Sequence, residues 1–277
     1  MLVIAFAGCG LNAVGSYWLF PPDAVNIVIL GLDARPGEGD WTRTDSVMLL
    51  NVNPDDMRVS LLSIPRDVFI SVPGEGEQRL NSINGMAESE QPGSGPALVM
   101  ASLEESFGVE VQHYIRLNFS GFEAIIDAVD GVEIDVPHAI RDEEYPTLDE
   151  GTIVVTFEPG LQHMDGERAL QYARTRHQDS DFQRAARQQQ VLDALVTKLS
   201  EPRAIFKWWR VWRALDKHTD SDLNWWDWIQ ISPALLRGWP EREDRVMEGE
   251  DVVAIRGGYW IPNYERITPW IQAHFDT

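Results

Sequence analysis

The chain has 277 residues, 44% of them hydrophobic and 10% aromatic, which is enough apolar side chain for one large core or two small ones and excludes a disordered chain. Its 44 acidic against 23 basic residues leave a net charge of -21, which excludes a nonspecific nucleic-acid binder, since that function needs a broad basic surface. A single cysteine, Cys9, excludes an internal disulfide.

Met1 to Phe20 is apolar and nearly free of charge, interrupted by Gly8, Gly10, Asn12 and Gly15, and reads as a membrane anchor or export segment spanning 1–22. Cys9 follows Ala7-Gly8, a small-residue context like a lipoprotein cleavage site, so lipidation at Cys9 stands beside a retained anchor. Either way the remainder is expected outside the cytoplasmic membrane, as a main domain over 23–200 and a Trp-rich helical extension over 201–277 packed on it.

Val25 to Leu30 reads as a buried strand that breaks at Gly31, which places Asp33 just past a strand's C-terminal end. Arg43-Thr44-Asp45-Ser46 leads into a second apolar run, Val47 to Val52, and Arg58 to Ile64 gives a third strand, stopped by Pro65 before Arg66-Asp67. Charged residues recurring at strand ends are ligand candidates in α/β sheets, although Asp-rich and Arg-rich turns are also ordinary. Arg79-Leu80-Asn81 opens the next segment, then helices are expected over Ala97 to Phe107 and Phe122 to Val129. Strands are expected over Val109 to Leu117, Val132 to Val136 and Ile153 to Phe157, with an acidic loop from His138 to Gly151. This alternation predicts an α/β fold with a mixed or parallel sheet covered by helices.

Gly166 to Leu199 crowds Arg168, Arg174, Arg176, Arg184 and Arg187 around Asp179, Ser180 and Asp181. The apolar period predicts two helices, the second starting at an Asp179 or Ser180 cap, with Arg184, Gln188, Val191 and Leu195 on one face. Guanidiniums at a helix N-terminus suit an anion such as phosphate; the plainer reading is a solvated, salt-bridged helix pair. Trp208, Trp209, Trp212, Trp225, Trp226, Trp228 and Trp239 fall close together, for which core packing is the first reading and a membrane-interface belt the second. Thr219-Asp220-Ser221-Asp222 is expected to start a helix over Leu223 to Ile231, with a strand over Val252 to Ile255 and a closing helix over Tyr264 to Phe275.

The ordered strings Leu30-Gly31-Leu32-Asp33-Ala34-Arg35, Arg43-Thr44-Asp45-Ser46, Ser63-Ile64-Pro65-Arg66-Asp67, Arg79-Leu80-Asn81, Gly166-Glu167-Arg168-Ala169-Leu170, Tyr172-Ala173-Arg174-Thr175-Arg176, Asp179-Ser180-Asp181-Phe182-Gln183-Arg184 and Arg187-Gln188-Gln189 resemble the LytR-CpsA-Psr family in sequence and spacing. The resemblance covers Val25 to Leu199 and, loosely, the tail to Phe275. It implies a three-layer α/β/α sandwich with a central mixed sheet and an apolar lipid-binding tunnel. The activity it implies is an extracytoplasmic, membrane-anchored phosphotransferase. Such an enzyme moves a glycopolymer from a polyprenyl-pyrophosphate carrier to peptidoglycan and forms a phosphodiester, with no nucleic acid involved.

Carried over by residue, the resemblance implies that Asp33 and Asp45 hold Mg2+ and that Arg43, Arg66, Arg174, Arg176 and Arg184 bind pyrophosphate oxygens. Asp181 stands as general base or arginine orienter, with Arg35, Arg79, Asn81 and Gln188 as further substrate contacts. Where the family more often has lysine this chain has Arg79, which keeps the charge. Tunnel walls are expected from Val99 to Phe107, Phe122 to Val129 and Val191 to Leu199. Two other functions stand beside this one: a polyprenyl-pyrophosphate hydrolase using water as acceptor, and a non-catalytic envelope regulator binding the same lipid.

Overall fold

Strand β1 (Val25–Leu32) is buried along most of its length and lies inside the main sheet of the computed structural model. The structure describes residues 21–34, 42–147, 151–175, 181–255 and 259–275; Arg35, Arg176, Asp179, Ser180 and the apolar segment 1–20 lie outside the described residues, as does the side chain of Asp181. After β1 come β2 (Thr44–Asn53), β3 (Arg58–Ile64), β4 (Phe69–Val72), β5 (Gly76–Arg79), α1 (Leu80–Glu90), α2 (Gly95–Phe107), β6 (His113–Leu117), α3 (Phe119–Ala128), β7 (Val132–Val136), β8 (Ile140–Pro146), β9 (Thr152–Phe157), β10 (Gly160–Met164) and α4 (Gly166–Arg174). The rest of the chain forms α5 (Asp181–Ser200), α6 (Trp208–His218), β11 (Thr219–Ser221), α7 (Trp225–Gly238), β12 (Glu243–Val246), β13 (Val252–Ile255), β14 (Tyr259–Pro262) and α8 (Tyr264–Phe275).

Among the described residues the central sheet has six strands in the order β11-β6-β1-β2-β3-β12. Strand β1 runs parallel to β6 and antiparallel to β2, while β12 runs parallel to β3, so the sheet is mixed. Successive side chains point to opposite faces. Val28, Leu30, Leu49 and Leu62 thus pack on one face with Leu80 and Ile83 of α1, Val99, Leu103 and Phe107 of α2, and Ile271 and Phe275 of α8. Ile27, Met48, Leu50, Leu61 and Ile115 pack on the other with Val196 of α5, Ile231 and Ala234 of α7, and Trp239. Helices therefore cover both faces of the sheet. Among the described residues four two-stranded sheets, the hairpins β4-β5, β8-β9 and β13-β14 and the pair β7-β10 that brackets β8-β9, surround these layers.

Buried polar side chains fasten the layers together. Arg116 of β6 donates to Glu88 of α1 at 2.5 Å and, through Nε and Nη2, to Asp220 of β11 at 3.0 and 2.7 Å. Asn26 of β1 donates to the carbonyl of Phe275 at 2.8 Å and accepts from Asn51 of β2 at 2.8 Å. Among the described residues no helix is long and apolar enough to cross a membrane.

Two expectations about elements are corrected. Residues 140–146 form strand β8, not a loop, because Ile140, Asp142 and Tyr145 turn inward and the acidic residues between them turn out. Thr219–Ser221 is an edge strand rather than a helix start. The cap of α7 is Asn224, whose side chain accepts from the Trp226 and Asp227 amides while Asp227 accepts from the Asn224 amide.

Candidate active site

The β1 and β2 ends that hold the two aspartates are shaped by a bulge. Gly31 pairs with Ser46 and Leu32 with Thr44, which leaves Asp45 as the extra residue, and bulges commonly re-aim a side chain beside a site. Gly31 allows the close approach there, because a Cβ would sit 3.1 Å from that of Ser46 and force it to shift. Just beyond β1 the Asp33 amide donates to the Arg43 carbonyl at 3.0 Å, so both carboxylates stand at one end of adjacent strands.

Each carboxylate has an arginine against it. Arg66, delivered by the turn after β3, donates from Nη1 to Asp45 Oδ1 at 2.6 Å. That turn is stitched to the start of α1, where the Asn81 amide donates to the Arg66 carbonyl at 2.9 Å. Arg174, the last residue of α4, donates from Nη1 to the Tyr145 hydroxyl at 3.2 Å and from Nη2 to Asp33 at 3.4 Å. Its guanidinium lies over the Phe119 ring at 3.9 Å, a cation–π contact that fixes the plane of the fork. Burial pushes the Tyr145 hydroxyl above its ordinary value against the pull of Arg174, so it stays protonated. Burial also pushes the Glu123 carboxyl up, reinforced by Glu167, Asp127 and Asp165 and opposed by Arg174.

A cavity of about 700 Å3 lies between the sheet and the helices on the β1 face that carries Ile27, Ile29 and Gly31. One end is polar, lined by Asp45, Ser46, Asn118, Arg174, Arg184 and Gln188. Beyond it the walls are almost wholly apolar: Ile27, Met48, Leu50 and Ile115 from the sheet, Phe122, Ile125 and Ile126 from α3, Val191, Leu195 and Leu199 from α5, and Trp208, Trp212, Trp225, Trp228 and Trp239 further on. Along α5 the wall runs from Arg184 to Leu199, roughly 22 Å of helix.

The sequence-derived residues therefore divide. Asp45, Arg174, Arg184 and Gln188 line the cavity, with Arg66 and Asp33 one contact behind. Arg43 is exposed, and only its backbone joins Asp33. Arg79 pairs with Asp67 at 3.5 Å over the Phe69 ring, and Asn81 is buried in the first turn of α1; neither lines the cavity. Arg187 donates to the carbonyls of Tyr172 and Thr175, at 3.0 and 2.5 Å, and so closes the C-terminal end of α4. Arg168 stacks on Phe157 at 3.8 Å; neither Arg168 nor Arg187 belongs to the anion end as expected.

The stretch Val99 to Phe107 is no wall of the cavity, since α2 covers the opposite sheet face with Val28 and Leu30. Conversely Trp208 and Trp212, whose first reading is core packing, form cavity wall together with Leu215. Tyr145 and Phe119, which hold Arg174, gave no sequence signal. The bulge between Asp142 and Tyr145 breaks the two-residue period that would have marked Tyr145 as inward-facing.

The sequence profile of the LytR_cpsA_psr family matches residues 20–253. The chain belongs to this family. Among LytR_cpsA_psr relatives, the polyisoprenyl-teichoic acid–peptidoglycan teichoic acid transferase TagU of Oceanobacillus iheyensis is 35% identical over 204 residues, 73% of this chain and 60% of the relative. The transferase of the same description, TagT, of Bacillus subtilis is 31% identical over 179 residues, 64% of this chain and 53% of the relative. The chain thus spans between half and two thirds of the length of these two relatives. The crystal structure of B. subtilis TagV matches with a TM-score of 0.71 at 22% identity, over 92% of this chain and 98% of that one. A structure of TagT bound to LI-WTA matches with a TM-score of 0.67 at 23% identity, over 92% of each chain. The LytR_cpsA_psr fold, helices on both faces of a central mixed sheet, is thereby shared.

Proposed function

We propose that this chain is an extracytoplasmic phosphotransferase, anchored at the outer face of the cytoplasmic membrane, that moves a glycopolymer from a polyprenyl-pyrophosphate carrier to peptidoglycan. The observation that carries the reading is one compartment of two characters: a polar end with Asp45, Arg174 and Arg184, continuous with an apolar cavity of about 700 Å3. A charged head with a hydrocarbon tail is the ligand class that satisfies both, since arginine forks grip phosphate oxygens and prenyl methylenes gain about 0.8 kcal/mol each on leaving water. The relatives TagU and TagT, polyisoprenyl-teichoic acid–peptidoglycan teichoic acid transferases by name, support it.

In the reaction a peptidoglycan hydroxyl attacks the phosphorus next to the glycopolymer. A new P–O bond forms, the bridging P–O bond of the pyrophosphate breaks, and polyprenyl phosphate departs with the electron pair. Arg174 and Arg184, with Arg176, are assigned to the pyrophosphate oxygens, where charge develops. Arg66 holds Asp45 in place, and the Tyr145 hydroxyl and Phe119 ring keep the Arg174 fork oriented. Asp181, at the head of α5, is assigned to receive the hydroxyl proton or to orient an arginine.

Asp33 and Asp45 would hold Mg2+. Hard carboxylate oxygens beside a phosphate site suit an ion that usually takes one or two carboxylates and completes its shell with water and substrate. Among the described residues no cluster of three or more His, Cys, Asp or Glu side chains could hold a metal, so the ion would draw other ligands from the pyrophosphate. When bound, Mg2+ supplies neutralisation of the phosphate charge.

The test is turnover of a radiolabelled polyprenyl-pyrophosphate glycan with peptidoglycan as acceptor. Labelled peptidoglycan joined through a phosphodiester supports the reading. Release of free glycan phosphate at the same rate without acceptor would replace it with a hydrolase, and lipid binding without turnover would leave an envelope regulator.

A further inference from the structure

The apolar end of the cavity reaches the surface at an aromatic cluster. Trp209 and Trp225 both line the cavity and are nevertheless 65% and 59% exposed. Phe206 just before α6, at 86%, and Trp226 and Ile229 of α7, at 52% and 50%, are exposed as well. Trp225 and Trp226 pack edge to face with centroids 5.6 Å apart. Large apolar side chains exposed together mark a surface that is covered in use.

The segment that builds most of this face carries charge opposite to that of the chain, although Asp127, Asp130 and Asp227 stand beside it. Between residues 198 and 218 stand Lys198, Arg203, Lys207, Arg210, Arg213 and Lys217 against Glu201 and Asp216, although the whole chain carries -21. All three lysines of the sequence fall here. Lys207 and Arg210 are held by Asp130 at 3.0 and 2.7 Å, while Arg203, Arg213 and Lys217 are exposed. The Arg213 guanidinium lies 5.5 Å from the Trp209 ring centre. Trp209, Arg210, Arg213, Lys217 and His218, with Asp127 at the rim, line a second cavity of about 300 Å3 on the outer side of α6.

We propose that the face formed by α6 and the first turn of α7 docks on an anionic lipid bilayer. Trp209, Trp225, Trp226 and Phe206 lie at headgroup depth, and Arg213 and Lys217 meet lipid phosphates in the smaller cavity. Tryptophan rings favour that depth because one side is apolar and the N–H needs a polar partner. Basic residues are drawn to the negative surface potential of an anionic leaflet. The inference rests on the carrier reading of the large cavity and adds its route of loading: a prenyl chain passes from the acyl region past Trp209 and Trp225 without crossing water. An acidic protein partner would use the same charges but gives no reason for the aromatic cluster to open into an apolar cavity.

The test uses the full chain reconstituted in vesicles of phosphatidylglycerol and phosphatidylcholine with brominated acyl chains, which quench tryptophan on contact. Trp226→Phe should remove part of the lipid-quenched emission, whereas Trp270→Phe, on the opposite helical layer, should leave that part unchanged. Equal lipid-quenched emission in wild type and Trp226→Phe overturns the docking face. The double variant Phe206→Glu, Trp226→Glu should lose about tenfold or more in turnover of a long-chain carrier in these vesicles, and retain turnover of a short, water-soluble carrier. Retained long-chain turnover in the double variant also overturns the docking face and leaves the catalytic reading intact. A wild type that turns over neither carrier removes the catalytic reading, while the quenching result stands independently of it.

Discussion

Arg174 shows how much of this site is built to hold a guanidinium in one plane. It has an acceptor in Asp33, another in the Tyr145 hydroxyl, and a ring beneath it in Phe119. Lysine would keep the charge but lose the fork and the stack. Arg174→Lys is therefore expected to lower turnover about 100-fold with little change in melting temperature, measured with the labelled carrier and by calorimetry. Glu123, beside the same arginine, has its carboxyl raised above the ordinary 4.5 by burial first and by Glu167, Asp127 and Asp165 next. A raised carboxyl binds its proton more tightly in the folded state, so its contribution falls as pH rises from about 4.5 through the folded value. Glu123→Gln should accordingly raise the melting temperature at pH 8 and leave it nearly unchanged at pH 4; the opposite pattern would show that Arg174 dominates.

At the scale of elements, α5 carries both characters of the cavity on one face, with Arg184 and Gln188 near its start and Val191, Leu195 and Leu199 beyond. Leu195→Trp would fill the apolar part and leave the anion end alone. Binding of a long-chain carrier should weaken at least about tenfold, because a few excluded methylenes at about 0.8 kcal/mol each suffice, while a five-carbon pyrophosphate binds as before. Titration calorimetry with the two ligands decides this.

That face was legible because a helical stripe follows from three- and four-residue spacing alone. The strand-end aspartates were legible because an apolar run must stop where charge begins. Which sheet face α2 would cover was not legible, since Val99, Leu103 and Phe107 suit either side, and only the pairing order of the strands decides. Nor was the hold on Arg174, because Tyr145 lies in an acidic hairpin whose bulge hides its inward turn. The tryptophans misled for a related reason: a cavity wall and a packed core need the same side chains.

For the molecule as a whole, stability is concentrated where distant segments meet in buried polar contacts. Burial opposes ionisation of Glu88, but the Gly93 and Gly95 amides and Arg116 outweigh it and hold the carboxyl below its ordinary 4.5. A depressed carboxyl contributes above the unfolded value, and that contribution is lost as pH falls through the folded one. Acid unfolding should thus begin with separation of α1 from β6, and Glu88→Gln should flatten the stability profile below pH 4.5. Asn26→Ala should cost about 2–4 kcal/mol in urea unfolding, since the Phe275 carbonyl and the Asn51 side-chain amide lose a buried partner and the Glu110 carbonyl a half-buried one.

The sheet order has a consequence for synthesis. A chain emerging N-terminus first presents β1, β2, β3 and β6 early, but both edge strands, β11 and β12, arrive only in its last quarter. The bond between Asn26 and Phe275 spans 249 positions and closes last of all. Until then β6 and β3 offer open hydrogen-bonding edges, the usual template for association between nascent chains. Premature termination anywhere before residue 243 should therefore yield sticky, protease-sensitive fragments, and folding should depend on a holding chaperone until β12 is released.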